Sequence, residues 1–229
     1  MAESKPHFFG HRQRLRERFQ KGGFDALADY EIVELLLTLA IPRSNVKEPA
    51  KALIARFGSL RGILDAPSEQ LQEVKGVGSV APTALQIIRA AATLYLQQSN
   101  EGKNIAADSQ TLAAFWRVRI GGLANEVFEV AYLDSGLRLG RDSVERLEEG
   151  TVDRAAVYPR RVVEAALRHG AAAIVLAHNH PNGDVKPSEQ DKLLTRALVM
   201  ATETVQLRIV DHLIVSRDES FSFKKAGLL

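Results

Sequence analysis

The chain has 229 residues with a formal net charge of +2, of which 45% are hydrophobic, 25% are charged and none is cysteine. This composition is ordinary for one large or two small globular domains, and it excludes a disulfide scaffold, a thiolate metal site and a cysteine nucleophile. No apolar run reaches about 18 residues, and the opening Met1–Lys5 lacks the apolar core of a signal peptide, so we predict a cytoplasmic protein without membrane spans.

The positive charge is unevenly distributed along the chain. Residues 1–100 carry 13 Lys and Arg against 10 Asp and Glu, and much of the excess lies between Arg12 and Lys21. A local basic patch of this kind suits a polyanion, but a solvated helix face explains it equally well.

The first hundred residues read as helices. Apolar residues recur at helical spacing over Tyr30–Ala40, Pro49–Phe57 and Ala81–Leu96. Pro42 and Gly58 follow the first two segments, and both residue types are typical of helix ends. No strand-like alternation interrupts this region.

A polar segment separates these helices from the rest of the chain. Residues 97–110 contain Gly102 and show no hydrophobic periodicity, which predicts a linker. We therefore predict an all-α region over 1–97 and a second domain over 108–229.

The second half mixes strands and helices. Glu126–Leu133, Ala172–Ala177 and Val205–Val215 have the composition of strands, and Val162–Arg168 and Ser188–Ala201 have that of helices. This order predicts an α/β or α+β domain in which a mixed sheet is flanked by helices.

Two glycines precede the last helix of the first half. Lys75, Gly76 and Gly78 have the spacing of a helix-hairpin-helix turn, in which a following helix N-terminus can hold a phosphate. The first turn of that helix has no basic residue, whereas a DNA-binding hairpin usually has one. A turn that only packs two helices is therefore the alternative interpretation.

The strongest pattern for chemistry lies between residues 172 and 191. His178 and His180 end an apolar strand and point to the same side of it, and Ser188 and Asp191 open the next helix. Two imidazoles and a carboxylate are sufficient for a catalytic zinc site that leaves one position for water, whose pKa the metal lowers towards about 7.

Each part of this pattern also has an ordinary structural explanation. Two histidines at this spacing are often surface residues, and Ser188 with Asp191 alone forms a helix capping box. The combination at this spacing favours the metal site.

The spacing H-x-H-x7-S-x-x-D resembles the JAMM motif of JAB/MPN metalloproteases, and the surrounding sequence resembles the RadC (UPF0758) family. The resemblance covers the second half nearly end to end and the helical first half more loosely. It is carried by the following motifs: His178-Asn179-His180-Pro181, Pro187-Ser188, Asp191, Gly150-Thr151, Pro159-Arg160, Asp211-His212-Leu213-Ile214, Ser220-Phe221-Ser222-Phe223 and Gly227-Leu228.

Two positions depart from the family pattern. Asn182 stands where the family usually has serine, and Arg161 stands where glutamate is common. Neither is a motif ligand, and Arg161 is expected to alter only the surface beside the site.

The resemblance implies a JAB/MPN-like fold, similar to that of cytidine deaminases, and roles for particular residues. His178, His180 and Asp191 would bind Zn²⁺, and Ser188 would orient water or donate to an oxyanion. The family also uses an upstream glutamate as general base and acid, for which Glu126 is favoured over Glu129 on the opposite strand face.

These features predict a zinc-dependent metallopeptidase that hydrolyses peptide or isopeptide bonds in a substrate the sequence does not identify. The alternative is a DNA-associated repair factor that contacts phosphates through Lys75, Gly76 and Gly78. A homodimer is compatible with the two-part organisation. Asp211 and His212 are interpreted as core residues on a late strand, with a supporting position near the metal as the other option.

Overall fold

The computed structural model describes residues 10–105, 110–150 and 157–229. The chain divides into two compact units, Met1–Ala91 and Ala92–Leu229.

The predicted domain limits, 1–97 and 108–229, stay predictions. The predicted linker is shorter than expected, because its residues 97–100 continue the preceding helix. Residue 108 and the motif residue Thr151 lie outside the described residues.

The first unit is built of helices, with a short 3-10 helix at Gly23–Ala26. The predicted helices over residues 30–40, 49–57 and 81–96 are confirmed within a few residues at each end. The elements are α1 His11–Gly22, α2 Asp29–Ala40, α3 Lys47–Phe57, α4 Leu60–Asp65, α5 Ser68–Gln72 and α6 Val80–Asn100, of which the last continues past the end of this unit.

The glycine turn packs against the core of this unit. Val74 and Val77 are buried among the apolar side chains of α2, α3 and α6. Gly76 has φ of 89° and Gly78 has φ of 65°, a backbone region that side chains disfavour. A Cβ atom on Gly76 would lie 2.8 Å from Cγ of Pro49, so this glycine also permits a close approach to α3.

In the described residues of the second unit, a sheet is accompanied by three further helices. The predicted strands at residues 126–133, 172–177 and 205–215 and the helices at 162–168 and 188–201 are confirmed, with small differences at their ends. The elements are α7 Gln110–Arg119, β1 Glu126–Leu133, β2 Leu139–Gly150, α8 Pro159–Arg168, β3 Ala173–Asn179, α9 Glu189–Glu203, β4 Arg208–Val215 and β5 Ser220–Ser222.

The five strands form one mixed sheet in the order β2-β1-β3-β4-β5. Only β3 and β4 are parallel, and α9 forms the crossover between them; the other neighbours are antiparallel. The mixed sheet flanked by helices that the sequence predicted is therefore confirmed.

Both faces of the sheet are covered. On one face, Phe115 and Trp116 of α7 pack against residues such as Val175 and Leu213. On the other face, Val162 of α8 and Leu198 of α9 lie among the strand residues in a second apolar cluster. Burial on both sides explains why β3 is apolar almost throughout.

Among the described residues, no helix is both long and apolar enough to cross a bilayer.

The structure predicts unequal costs for alanine at the two glycines of the turn. Gly76→Ala places a side chain at positive φ and against Pro49, so it should lower the free energy of unfolding of the first unit by at least about 2 kcal/mol. Gly78→Ala meets no atom within 4 Å and should cost about 1–2 kcal/mol, from backbone strain alone.

Hydrogen exchange at buried amides of α3 measures both costs without assuming that the two units unfold together. Equal protection in the two variants would contradict a packing role for Gly76.

Candidate metal centre

Two antiparallel strands bring the predicted site residues together. Phe128 of β1 lies opposite His178 of β3, so the start of β1, with Glu126, meets the end of β3. One side-chain donor atom from each of Glu126, His178, His180 and Asp191 lies within 4.8 Å of the others. Three of these are the predicted metal ligands, and the fourth is the favoured general base.

The start of α9 holds Asp191 in place. Ser188 is the N-cap residue, and its hydroxyl accepts a hydrogen bond of 3.1 Å from the Asp191 backbone N–H. The hydroxyl of Ser188 donates to Oδ2 of Asp191 at 2.6 Å, and the backbone N–H of Ser188 donates to the same oxygen at 2.7 Å. The helix cap therefore fixes the carboxylate of Asp191. In this arrangement the hydroxyl proton of Ser188 is donated to Asp191 and is not available to another acceptor.

The oxygen and nitrogen atoms at the centre of the cluster lie close together. Nε2 of His178 is 3.1 Å from Nε2 of His180 and 3.1 Å from Oδ1 of Asp191. Nε2 of His180 lies 3.5 Å from Oδ2 of Asp191. Nδ1 of His180 is 2.6 Å from the carbonyl oxygen of Asp184, to which it must donate. Neutral His180 therefore carries its lone pair on Nε2, facing the cluster.

Burial shapes the charge of these groups. Burial raises the pKa of the Glu126 carboxyl above its usual value, and the charges of His178 and His180 only partly offset it. Burial on its own lowers the pKa of His180, but hydrogen bonds to Asp191 and Asp184 raise it overall. For Asp191, burial alone would raise the pKa, but His178 and His180, which can donate to the carboxylate when they are protonated, and the hydrogen bond from Ser188 hold it well below its usual range.

This set of donors fits a zinc ion. It combines two imidazole nitrogens with carboxylate oxygens, which are ligands that Zn²⁺ prefers in proteins. Ligand atoms around a tetrahedral zinc ion with bonds of roughly 2.0–2.2 Å lie about 3.3–3.6 Å apart. The three separations among His178, His180 and Asp191 are 3.1, 3.1 and 3.5 Å, so one falls within that range and two lie slightly below it.

Glu129, the other glutamate considered from the sequence, lies on the opposite face of the sheet. It is fully buried, and it accepts hydrogen bonds from Trp116 at 3.1 Å, Arg119 at 2.7 Å and Arg146 at 3.2 Å. These partners satisfy the buried charge and leave Glu129 no path to the cluster. β1 lies between β2 and β3, so neither glutamate is on an edge strand of the sheet.

His212 has a closer connection to the cluster than the sequence indicated. It is fully buried on β4, and its Nε2 lies 2.9 Å from Nδ1 of His178. Burial, followed by the charge of His178, lowers its pKa well below the usual value. Asp211 behaves as the predicted core residue, because its carboxylate accepts hydrogen bonds from Ser222 at 2.7 Å and from the Lys224 N–H at 3.0 Å.

Asn179, between the two histidines, holds the segment that carries Glu126. Its side chain is fully buried on the other face of β3. Oδ1 accepts from the N–H of Val127 at 2.8 Å, and Nδ2 donates to the carbonyl of Asn125 at 3.0 Å and, more weakly, of Leu123 at 3.4 Å. The backbone on both sides of Glu126 is thus tied to the ligand strand. The sequence showed this asparagine only as part of the motif.

A small cavity opens beside the cluster. It has a volume of about 250 Å³ and is lined by residues that include Gly121, Gly122, His180, Asn182 and Gly183. Two residues depart from the family pattern. One of them, Asn182, lines this cavity and so lies near the cluster. The other, Arg161, forms an ion pair with Glu148 on β2.

Comparison with known proteins agrees with this architecture. Residues 106–228 match the family model described as a RadC-like JAB domain, and residues 9–82 match that of the UPF0758 N-terminal region. A UPF0758 protein from Ruegeria pomeroyi is 40% identical over 219 residues, which cover 96% of this chain and 97% of that protein.

The second unit is thus a JAB-type domain of the class that contains JAMM metallohydrolases. The chain belongs to the RadC (UPF0758) family, as the sequence motifs predicted.

Removal of the Asn179 side chain should destabilise the second unit. Asn179→Ala leaves the N–H of Val127 and the carbonyl of Asn125 without their partner in a buried setting, so the free energy of unfolding should fall by roughly 2–4 kcal/mol. Chemical denaturation followed by the fluorescence of Trp116 measures this loss.

Asn182→Ala is the matched control. Within the described part of the chain, the side chain of this exposed asparagine has one hydrogen bond, from the nearby N–H of Asp184, so its removal should cost no more than about 0.5 kcal/mol. Equal stability of the two variants would show that the hydrogen bonds from Asn179 to Val127 and Asn125 do not stabilise the second unit.

Proposed function

We propose that this protein is a zinc-dependent metallopeptidase that hydrolyses amide bonds, in peptides or isopeptides. The observation that carries this proposal is the meeting of Glu126, His178, His180 and Asp191 at one point. Membership of a JAB-type family supports it.

His178, His180 and Asp191 are the residues that would hold the metal. A zinc ion bound there would act as a Lewis acid and lower the pKa of a water molecule towards about 7. Three protein ligands are typical of catalytic rather than structural zinc sites, because they leave a position for a reactant. The capping hydrogen bonds from Ser188 hold Oδ2 of Asp191, which lies 3.5 Å from Nε2 of His180, and leave Oδ1 facing Nε2 of His178 at 3.1 Å.

Glu126 is the group that would move protons. As a carboxylate it can accept a proton from the attacking water on one of its oxygens, and as a carboxylic acid it can return that proton to the leaving amine nitrogen. Burial raises its pKa, whereas the charge of a zinc ion bound beside it would lower that pKa and favour the carboxylate that accepts the proton. An amine is a poor leaving group without this proton, which favours amide hydrolysis as the reaction.

The cavity beside His180 offers room for the chain next to the scissile bond. Gly121, Gly122 and Gly183 contribute backbone and no side chain to its wall. Ser188 would assist the oxyanion only after its hydroxyl leaves Asp191, so its role toward the substrate stays a prediction.

The DNA-binding alternative and the homodimer also stay predictions. The positive φ angles of Gly76 and Gly78 and the contact of Gly76 with Pro49 give these glycines a packing reason. For that reason we place the function at the metal centre.

Zinc content tests the ligand set. Purified, zinc-supplemented wild type should contain about one zinc ion per chain, and His178→Ala should lose most of it because three protein ligands become two. His169→Ala is a matched control, since this histidine stacks on Tyr132 outside the cluster. Elemental analysis by mass spectrometry gives the result. Equal zinc content in wild type and His178→Ala would exclude the site.

Activity tests Glu126 separately from metal binding. Glu126→Gln should retain zinc while the rate of cleavage falls by roughly 10²–10⁴-fold, because the amide cannot accept a proton. A mixture of peptides and isopeptide-linked substrates, analysed by mass spectrometry, provides the assay. Glu164→Gln on the exposed side of α8 is the control and should cleave at the wild-type rate. Undiminished cleavage by Glu126→Gln would remove this residue from the mechanism.

A further inference from the structure

A chain of three hydrogen bonds links α9 to the first histidine of the candidate metal centre. The hydroxyl of Thr195 lies 2.6 Å from the carbonyl oxygen of Asp191 and 2.7 Å from Nδ1 of His212. Nε2 of His212 lies 2.9 Å from Nδ1 of His178. The proposed mechanism does not use Thr195 or His212, although both are buried.

The direction of these hydrogen bonds follows from the first of them. Two oxygen atoms 2.6 Å apart require a proton between them, and a carbonyl has none, so Thr195 donates to Asp191. The hydroxyl oxygen is then left with lone pairs, and Nδ1 of His212 must donate to it. Neutral His212 consequently has a lone pair on Nε2, which accepts the proton on Nδ1 of His178.

The surroundings of His212 keep this arrangement in place. Phe223 stacks on its ring at a centroid distance of 4.7 Å, and Phe128 meets it edge-on at 5.8 Å. The residue has no exposed surface, so water cannot replace either partner. A 180° flip of the His212 ring would break both of its hydrogen bonds, in a buried position between Phe223 and Phe128.

A change of register in the sheet puts His212 on the correct face. Ile174 of β3 pairs with Ile209, but the next residue, Val175, pairs with Asp211, so Val210 is an extra residue in β4. Without this bulge, His212 would face the α7 side, away from His178.

We propose that His212 and Thr195 are positioning residues that keep the shared proton on Nδ1 of His178 and thereby leave Nε2 as the nitrogen that binds the metal. The second part of this inference, that Nε2 binds the metal, rests on the proposed function. Asp191 has a double part in it, because its carboxylate is a candidate ligand and its carbonyl anchors the hydrogen-bonded chain. One turn of α9 then supplies the candidate ligand Asp191 and, through Thr195, determines the tautomer of His178.

The location of the shared proton is measured by NMR on the full-length protein labelled with ¹⁵N at histidine, first without metal and then with zinc. We expect the proton to be attached to Nδ1 of His178 in both states, with a coupling across the hydrogen bond to Nε2 of His212. A proton attached to Nε2 of His212 would overturn the proposal.

Zinc competition with a chelator supplies the second measurement. His212→Phe keeps a ring but removes the acceptor, and zinc affinity should fall by roughly 10–100-fold. Thr195→Val should give a smaller loss in the same direction, because His212 then lacks the partner that fixes its proton. His212→Gln, whose amide oxygen can accept from His178, should recover part of the affinity. Thr195→Val and His212→Gln also keep the test valid if His212→Phe does not fold.

Leu213→Ala is the control for a purely structural effect. Leu213 is the neighbour of His212 on β4, but its side chain packs in the α7-side cluster. This variant should lose stability and keep its zinc affinity. Two results would contradict the proposal. One is an equal loss of zinc affinity in Leu213→Ala and His212→Phe. The other is wild-type zinc affinity in all the variants of His212 and Thr195. Failure of the wild type to bind zinc would refute the proposed function, whereas the proton location in metal-free protein would still decide this inference.

Discussion

The antiparallel pairing of β1 with β3 is the constraint on which the rest of the candidate site depends. It places the first residue of one strand beside the last residues of the other, so that Glu126 reaches two histidines more than fifty positions later in the chain. Asn179 reinforces this pairing at its end, where a strand would otherwise fray. The remaining candidate ligand, Asp191, lies in the first turn of α9, where the N-cap residue Ser188 holds its carboxylate.

The site therefore combines two kinds of support. On the α8 and α9 side of the sheet, polar groups form a connected series in a buried setting, where each bond is strengthened by the absence of water. On the opposite side, Asn179 and the ion pairs of Glu129 fix the backbone of the same two strands. Preorganisation of this kind reduces the cost of arranging catalytic groups when a reactant enters.

The sequence was sufficient for features that depend on local pattern. An apolar strand that ends in His178 and His180 and a capped helix that opens at Ser188 are both short-range signals, and both are present in the structure. The choice of Glu126 over Glu129 followed from the resemblance to the family together with strand alternation, and the two carboxylates lie on opposite faces of the sheet.

Other features depend on partners that are distant in sequence. β2 was not predicted, because Leu139–Gly150 is rich in charged residues, which suit an edge strand but obscure its alternation. His212 was interpreted as a core residue, with a supporting position near the metal as the other option. The structure shows it both buried and hydrogen-bonded to His178, and the bulge at Val210 that turns it to this face has no local sequence signal. The hydrogen bonds of Asn179 likewise span more than fifty residues and leave no local signal.

X-ray absorption spectroscopy of the zinc-loaded full-length protein tests the central claim most directly. The account predicts a zinc ion with two imidazole nitrogens and an oxygen shell at roughly 2.0–2.2 Å, and the loss of one imidazole in His180→Ala. A zinc environment without imidazole, or one unchanged by that substitution, would contradict the account.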